Sequence, residues 1–142
     1  MLIGGAGNDI LTGGGGADVF QWVLADRGVN GTPAIDSIRD FDTVSGSDKL
    51  DLRDLLQGET HVGTDPGTLA KYLHFEVSGT DTILHVSSGG GFAGGGQLVG
   101  GNPSPLFEDQ RIVFSGVNLI GTMTTDNAVI QDLLARGKLN TD

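Results

Sequence analysis

Cysteine is absent from the 142 residues, which excludes disulfides and any zinc site built on thiolates. Its absence fits an oxidising exterior without requiring one. Proline occurs only 4 times and no Gly-X-Y period runs through the chain, so a collagen-like triple helix is excluded. Basic residues number 8 against 18 acidic ones, and the net charge of −10 argues against nucleic acid and anionic membrane as partners and favours cations. Glutamate is scarce too, with 3 Glu beside 15 Asp. A solvated helix face would favour Glu, because Asp is the poorer helix former. No apolar run approaches the ~18 residues of a membrane span, and the first residues do not read as a signal peptide. One Trp and one Tyr leave no aromatic platform for glycosidic chemistry.

What the chain has in excess is glycine, 25 residues, alongside its aspartates. Together they point to tight loops in which a short carboxylate reaches a neighbouring backbone or an ion. Two units prove this pattern. Residues 4–12 and 13–21 both read G-G-x-G-x-D-x-U-x, where U is a large apolar residue, and they abut without a gap. Chance placement is on the order of 10⁻⁶ for two units in register of a motif that marks calcium-binding β-helical repeats. Leu2 and Ile3 read as the tail of an earlier unit, so the repeat is expected to continue a longer array. Glycine permits positive φ, which lets several carbonyls point to one side of a turn, and the Asp adds a carboxylate. Such a concave cluster of hard oxygens suits calcium, which takes 6–8 oxygens at about 2.3–2.6 Å, better than magnesium or a soft metal. The x-U-x triplet is a short strand with U pointing inward.

Downstream, residues 20–23 continue a strand, 26–34 form a polar loop, and 35–41 read as a strand. Residues 45–48 make a turn. Residues 50–56 pass from strand to a helical turn, and 68–73 hold one more helical turn. Residues 74–77 and 82–86 flank Ser78-Gly79-Thr80-Asp81 as a β-hairpin. Residues 89–101 form a flexible glycine-rich loop, and 111–114 a strand. Asp126 is the expected N-cap of a helix with Val129, Ile130, Leu133 and Leu134 on one face, ending at Gly137.

Several weaker signals carry no chemistry. Gly89, Gly91 and Gly94 match a dinucleotide fingerprint but open no helix and belong to no βαβ unit. His61, His74 and His85 lack a zinc motif, and the hairpin pair reads as surface residues. Asp48, Asp51 and Asp54 read as loop or capping residues rather than as a glycosidase pair. Nothing in the sequence looks catalytic.

The nonapeptides resemble the RTX (repeats-in-toxin) family, whose repeats form a parallel β-roll. The resemblance implies that two nonapeptides make one turn and that each Ca2+ sits between loops two units apart on the same side. Carried over, the ligands are Gly4, Gly5, Ala6, Gly7 and Asp9 in one loop, and Gly13, Gly14, Gly15, Gly16 and Asp18 in the next. Those two loops would not share one ion. Residues 36–41 and 48–52 resemble the stretch that follows the roll in serralysin-type proteases and RTX adhesins. This directs attention to Asp36, Asp40, Asp42 and Asp48, of which Asp36, Asp40 and Asp48 are expected as secondary ligands. Residues 22–26, 48–58, 69–75 and 133–139 look, in that order, like the C-terminal ends of very large RTX adhesins; the likeness is loose across 87–110.

The expected fold is therefore mainly β: a calcium-binding parallel β-roll with flanking antiparallel strands and a short C-terminal helix. Residues 1–58 hold the roll end and its closing segment, and 59–142 a C-terminal β region, forming one cooperative domain. The implied function is that of a calcium-binding, non-catalytic C-terminal module of an RTX adhesin, secreted to the surface of a Gram-negative bacterium and serving cell adhesion and biofilm. Its partner would be the type I secretion apparatus (ABC transporter, membrane fusion protein and outer-membrane channel), which reads an uncleaved signal in the terminal helix. No nucleic acid, membrane insertion or oligomer is expected. The alternative is the C-terminal module of an RTX protease or lipase whose catalytic domain lies upstream.

Overall fold

A computed structural model describes residues 1–44, 47–56, 58–60, 63–94, 97–101 and 104–141. His61, half of the turn expected at 45–48 and two glycines of the 89–101 loop lie outside the described residues. The strands are β1 (Leu2–Ile3), β2 (Ile10–Leu11), β3 (Val19–Gln21), β4 (Ala34–Ile38), β5 (Lys49–Asp51), β6 (Leu73–Ser78), β7 (Asp81–Val86), β8 (Gln110–Phe114) and β9 (Leu139–Asn140), with helix α1 at Asp126–Ala135. They form two sheets, in the orders β1-β3-β5-β9 and β2-β4-β8-β7-β6.

Successive strands β1 to β5 alternate between the two sheets, and every pairing among them is parallel. This is a β-roll. Leu2 stands beside Phe20 and Ile3 beside Gln21, so one turn consumes two nonapeptides, as expected. The U positions Leu11 and Phe20 point inward, while Ile10 is exposed. Phe20, Phe41 and Phe114 stack through the roll with ring centroids 6.0 and 5.1 Å apart. Each fully buried side chain of this kind contributes about 1.5–3 kcal/mol.

The third turn is interrupted. Between β5 and β8 the chain makes a helical turn on Leu52, Leu55 and Leu56, all buried, and then the β6–β7 hairpin. Gly79, at φ 62, supplies the positive φ that a two-residue hairpin turn requires. β7 pairs antiparallel with β8, which pairs parallel with β4 on its other side. The roll then resumes with β9 beside β5.

Thr125, not Asp126, caps α1, accepting the Ala128 N–H on its hydroxyl. Asp126 is instead buried beneath the helix start. The C-terminal end is a Schellman turn: Gly137, at φ 68, donates to Leu134 O and Lys138 to Leu133 O. Val129, Ile130 and Leu133 face the core, and Arg136 pairs with Asp132 at 3.1 Å. Among the described residues no helix is long and apolar enough to cross a membrane.

Candidate metal centre

Because the strands alternate between sheets, the connections alternate between the two edges of the roll. Residues 4–9 share one edge with 22–33, and residues 12–18 share the other with 39–44 and 47–48. The two nonapeptide loops therefore sit on opposite edges, each against an irregular downstream loop.

Each glycine of the motif has its own reason. Gly5 and Gly7 have φ 86 and 99, and Gly14 and Gly16 have φ 86 and 94, so the second and fourth positions are left-handed in both loops. The first position is glycine for a different reason, a close approach. A Cβ on Gly13 would lie 2.6 Å from Asp18 Oδ2, and one on Gly4 would lie 3.1 Å from Asp9 Oδ2. The third position meets neither constraint: it is Ala6 in one loop, and a Cβ on Gly15 would meet nothing within 4 Å. Gly16→Ala is accordingly expected to cost about 1–2 kcal/mol, and Gly15→Ala to stay within about 0.5 kcal/mol. Thermal denaturation of the two variants checks this directly.

The carboxylates divide into two groups. Asp36 Oδ1 accepts the Asp9 N–H at 2.7 Å, and its Oδ2 accepts Trp22 Nε1 at 2.7 Å and Gln110 Nε2 at 3.0 Å. Asp40 accepts Gly13 N–H at 2.9 Å and Gly14 N–H at 2.7 Å, one on each oxygen. Asp48 accepts Asp18 N–H and Asp42 N–H, both at 2.9 Å, again one on each oxygen. Every oxygen of these three groups has a donor. By contrast, Asp9 Oδ2 and Asp18 Oδ2 are buried and have none. A buried carboxylate oxygen without a partner costs free energy that a cation would recover. The residues present thus fit a hard, oxygen-seeking ion: two orphaned carboxylate oxygens, each in a loop with two left-handed glycines. Among the described residues no three acidic or histidine side chains converge, and calcium also takes backbone carbonyls and water as ligands.

Asp36 is more buried than its polar type predicts, since the inward face of β4 carries Ala34, Asp36 and Ile38. Burial pushes its carboxyl above the ordinary 3.8, and the bonds from Trp22, Asp9 and Gln110 only partly offset that. Asp51, expected in a loop role, is held by Arg53 Nη2 at 2.6 Å. That hydrogen bond lowers its pKa against burial.

His74 and His85 are not surface residues. They oppose each other across the hairpin, buried, with ring centroids 5.6 Å apart. His74 lies between Asp126 Oδ2 and Gly100 O, each at 2.7 Å, and His85 between Glu108 Oε2 at 2.7 Å and Glu76 Oε1 at 2.8 Å. Arg111 adds two bonds to Glu108, at 2.8 and 2.9 Å. These contacts use both nitrogens of each ring and leave none for a metal. Residues 97–101, expected as flexible loop, are tied down by bonds from Val99 to Thr124 O and from Gly100 to Phe75 O. A cleft of about 320 Å³ is lined by Arg27, Ser88 and Asp109 among others. Ser88 Oγ donates to Asp109 at 2.5 Å there, and among the described residues no histidine lines it.

The fold has a solved counterpart. The solution structure of the AlgE6R2 subunit from the Azotobacter vinelandii mannuronan C5-epimerase matches with TM-score 0.51 and 25% identity, covering 98% of this chain and 68% of that one. The AlgE6R3 subunit of the same enzyme matches with TM-score 0.47 and 26% identity, covering 80% of this chain and 54% of its own. No curated protein sequence matches. The family model described as peptidase M10 serralysin C terminal matches residues 1–87, which takes in both nonapeptide loops, their downstream partners and the hairpin. On that match, and with the alternating parallel strands that the repeats dictate, the chain belongs to the serralysin C-terminal family as an RTX-type β-roll module.

Proposed function

We propose that the chain is a calcium-binding module that completes its fold when the ion arrives and catalyses nothing itself. The buried, donorless oxygens of Asp9 and Asp18 carry this reading. Asp9 would hold an ion with carbonyls of Gly4, Gly5, Ala6 and Gly7, and Asp18 with carbonyls of Gly13, Gly14, Gly15 and Gly16. Asp36, Asp40 and Asp48 serve these sites mainly by holding the loop backbones in place. Millimolar extracellular calcium matches Kd values of about 10⁻⁴–10⁻³ M. At ten times its Kd each ion stabilises the fold by about 1.4 kcal/mol. Where calcium is scarce, the −10 charge and the two orphaned carboxylates weaken the roll.

The experiment is a calcium titration followed by circular dichroism and urea denaturation. Calcium should raise stability with a sub-millimolar to millimolar midpoint, and equal magnesium should do much less. Asp18→Ala should raise that midpoint more than Asp65→Ala, because Asp65 is exposed and its carboxylate accepts Gly67 N–H. Equal midpoints for the two variants would remove Asp18 from the site.

The order of the C-terminal segments supports a place at the end of a secreted RTX adhesin, with the type I apparatus as partner. Val129, Ile130 and Leu133 are buried in the folded module, so a transporter that reads them must meet the chain unfolded. A second reading is favoured by the names of the similar proteins: both the serralysin family and the epimerase are enzymes, which supports a module appended to a secreted catalytic domain. A H-E-x-x-H or G-x-S-x-G domain upstream distinguishes the enzyme from an adhesin built of long Ig-like repeats.

A further inference from the structure

Asp42, Ser47 and Asp48, ahead of β5, are held by a cation of the chain's own. Lys138 is 1% exposed, and its Nζ donates to Asp42 O at 2.7 Å, Ser47 Oγ at 2.5 Å and Asp48 O at 3.0 Å. All three ammonium protons are therefore used, and the group lies 5.6 Å from the centroid of the Phe41 ring. Arg136 adds a bond to Thr43 O. Asp18, Asp48 and Lys138 are each the last residue before a strand of the same sheet, on three successive turns. Where the first two turns place a carboxylate, the third places an ammonium directed back into the loop.

That loop in turn fixes the nonapeptide loop above it, through Asp48 on Asp18 N–H and Asp40 on Gly13 and Gly14 N–H. The other edge is built differently. There Asp36 holds Asp9, and the donors behind Asp36 are the neutral groups of Trp22 and Gln110.

We propose that Lys138 is a built-in, non-exchanging cation that terminates the ion stack on the 12–18 edge, so that docking of the C-terminal segment sets calcium affinity at Asp18 and not at Asp9. This rests on the calcium reading above. Because coupling between two sites is reciprocal, calcium at Asp18 also tightens the docking of residues 136–140. The ammonium is tethered to the chain, so withdrawing calcium loosens its docking without releasing it to solvent as a free ion.

The test is hydrogen–deuterium exchange of the full chain at stepped calcium concentrations, read separately at residues 4–9 and 13–18. Lys138→Met keeps the aliphatic stem and removes the charge. It should raise the calcium midpoint for protection of 13–18 by about 5-fold or more, and that of 4–9 by less than about 2-fold. Should Lys138→Met not fold, Ser47→Ala removes one acceptor and should give a smaller shift confined to 13–18. Equal shifts in both loops would mean general destabilisation and overturn the proposal, as would no shift. A calcium response in the unaltered chain that these variants leave untouched defeats the role of Lys138 alone. No calcium response in the unaltered chain defeats the metal reading as well.

Discussion

Asp126→Ala is expected to cost about 3–5 kcal/mol, the largest single loss foreseen in this chain. The Asp126 side chain is fully buried and receives donors from three places: His74 Nδ1 at 2.7 Å, Gln97 Nε2 at 2.9 Å and the Phe75 backbone N–H at 2.9 Å. It therefore fastens the start of α1 to β6 and to residues 97–101. Alanine takes the carboxylate from the buried Phe75 N–H and the buried His74 ring, and each such group costs about 1–3 kcal/mol. Relaxation of the Gln97 side chain keeps the sum below the arithmetic maximum. Against a total stability of about 5–15 kcal/mol, the variant should be partly unfolded even in saturating calcium. Asp126→Asn retains an acceptor for Phe75 N–H and should lose roughly half as much. Urea denaturation at fixed calcium measures both, and a loss under about 1 kcal/mol for the alanine variant would refute the assignment.

The second large effect is on pH. Burial pulls the His74 pKa down, but the hydrogen bond and charge of Asp126 and the Gly100 and Gly101 carbonyls outweigh it, leaving the pKa raised above 6.5. Its contribution to stability is complete below 6.5 and is lost as pH rises through the raised value. Glu108 behaves oppositely. Burial favours its neutral form, yet Arg111 and His85 hold its pKa down at about 2, from an ordinary 4.5. Its contribution is complete above 4.5 and is lost as pH falls toward 2. Both are fully present only between 4.5 and 6.5, so urea stability at constant calcium should peak near pH 5.5 and fall on either side. His74→Gln should flatten the alkaline arm, and Glu108→Gln the acid arm, while each lowers the peak. A wild-type profile that keeps rising to pH 9 would contradict the His74 assignment.

The roll was legible because its determinants are local. Leu11 and Phe20 occupy one position of a nine-residue unit, the left-handed glycines lie within three residues of each other, and the hairpin turn is adjacent to its own strands. The same periodicity singled out Asp9 and Asp18, whose Oδ2 oxygens are buried without a donor. The close approach that makes Gly4 and Gly13 glycine was not legible, since it depends on where the loop folds the aspartate back.

The residues whose surroundings the sequence did not reveal share one property: their partners are far away in sequence. Asp36 faces inward because Trp22 and Gln110, 14 and 74 positions away, supply the donors that solvent would otherwise provide. His74 and His85 read as surface residues until Asp126 and Glu108, 52 and 23 positions away, are placed beside them. Lys138 reaches back 90 or more positions. Polar residues with such partners are invisible to hydrophobic patterning, which assigns them to solvent. Asp126 failed by a single position, because Thr125 and Asp126 are both good caps and the sequence does not show which hydroxyl or carboxylate reaches Ala128 N–H.

The pairing of Leu50 with Leu139 also governs how the chain must assemble in time. β5 can form beside β3 from residues close in sequence, but its outer edge waits for a strand that lies far later in the chain. Pairing across so long a separation is slow, so while the chain folds an unfinished edge faces every other unfolded chain. β5 reads Lys49-Leu50-Asp51, placing a charge of each sign on either side of its one apolar residue. Charges of this kind discourage pairing with foreign strands. The brevity and polarity of β5 thus protect a half-built sheet against aggregation until its own last strand arrives.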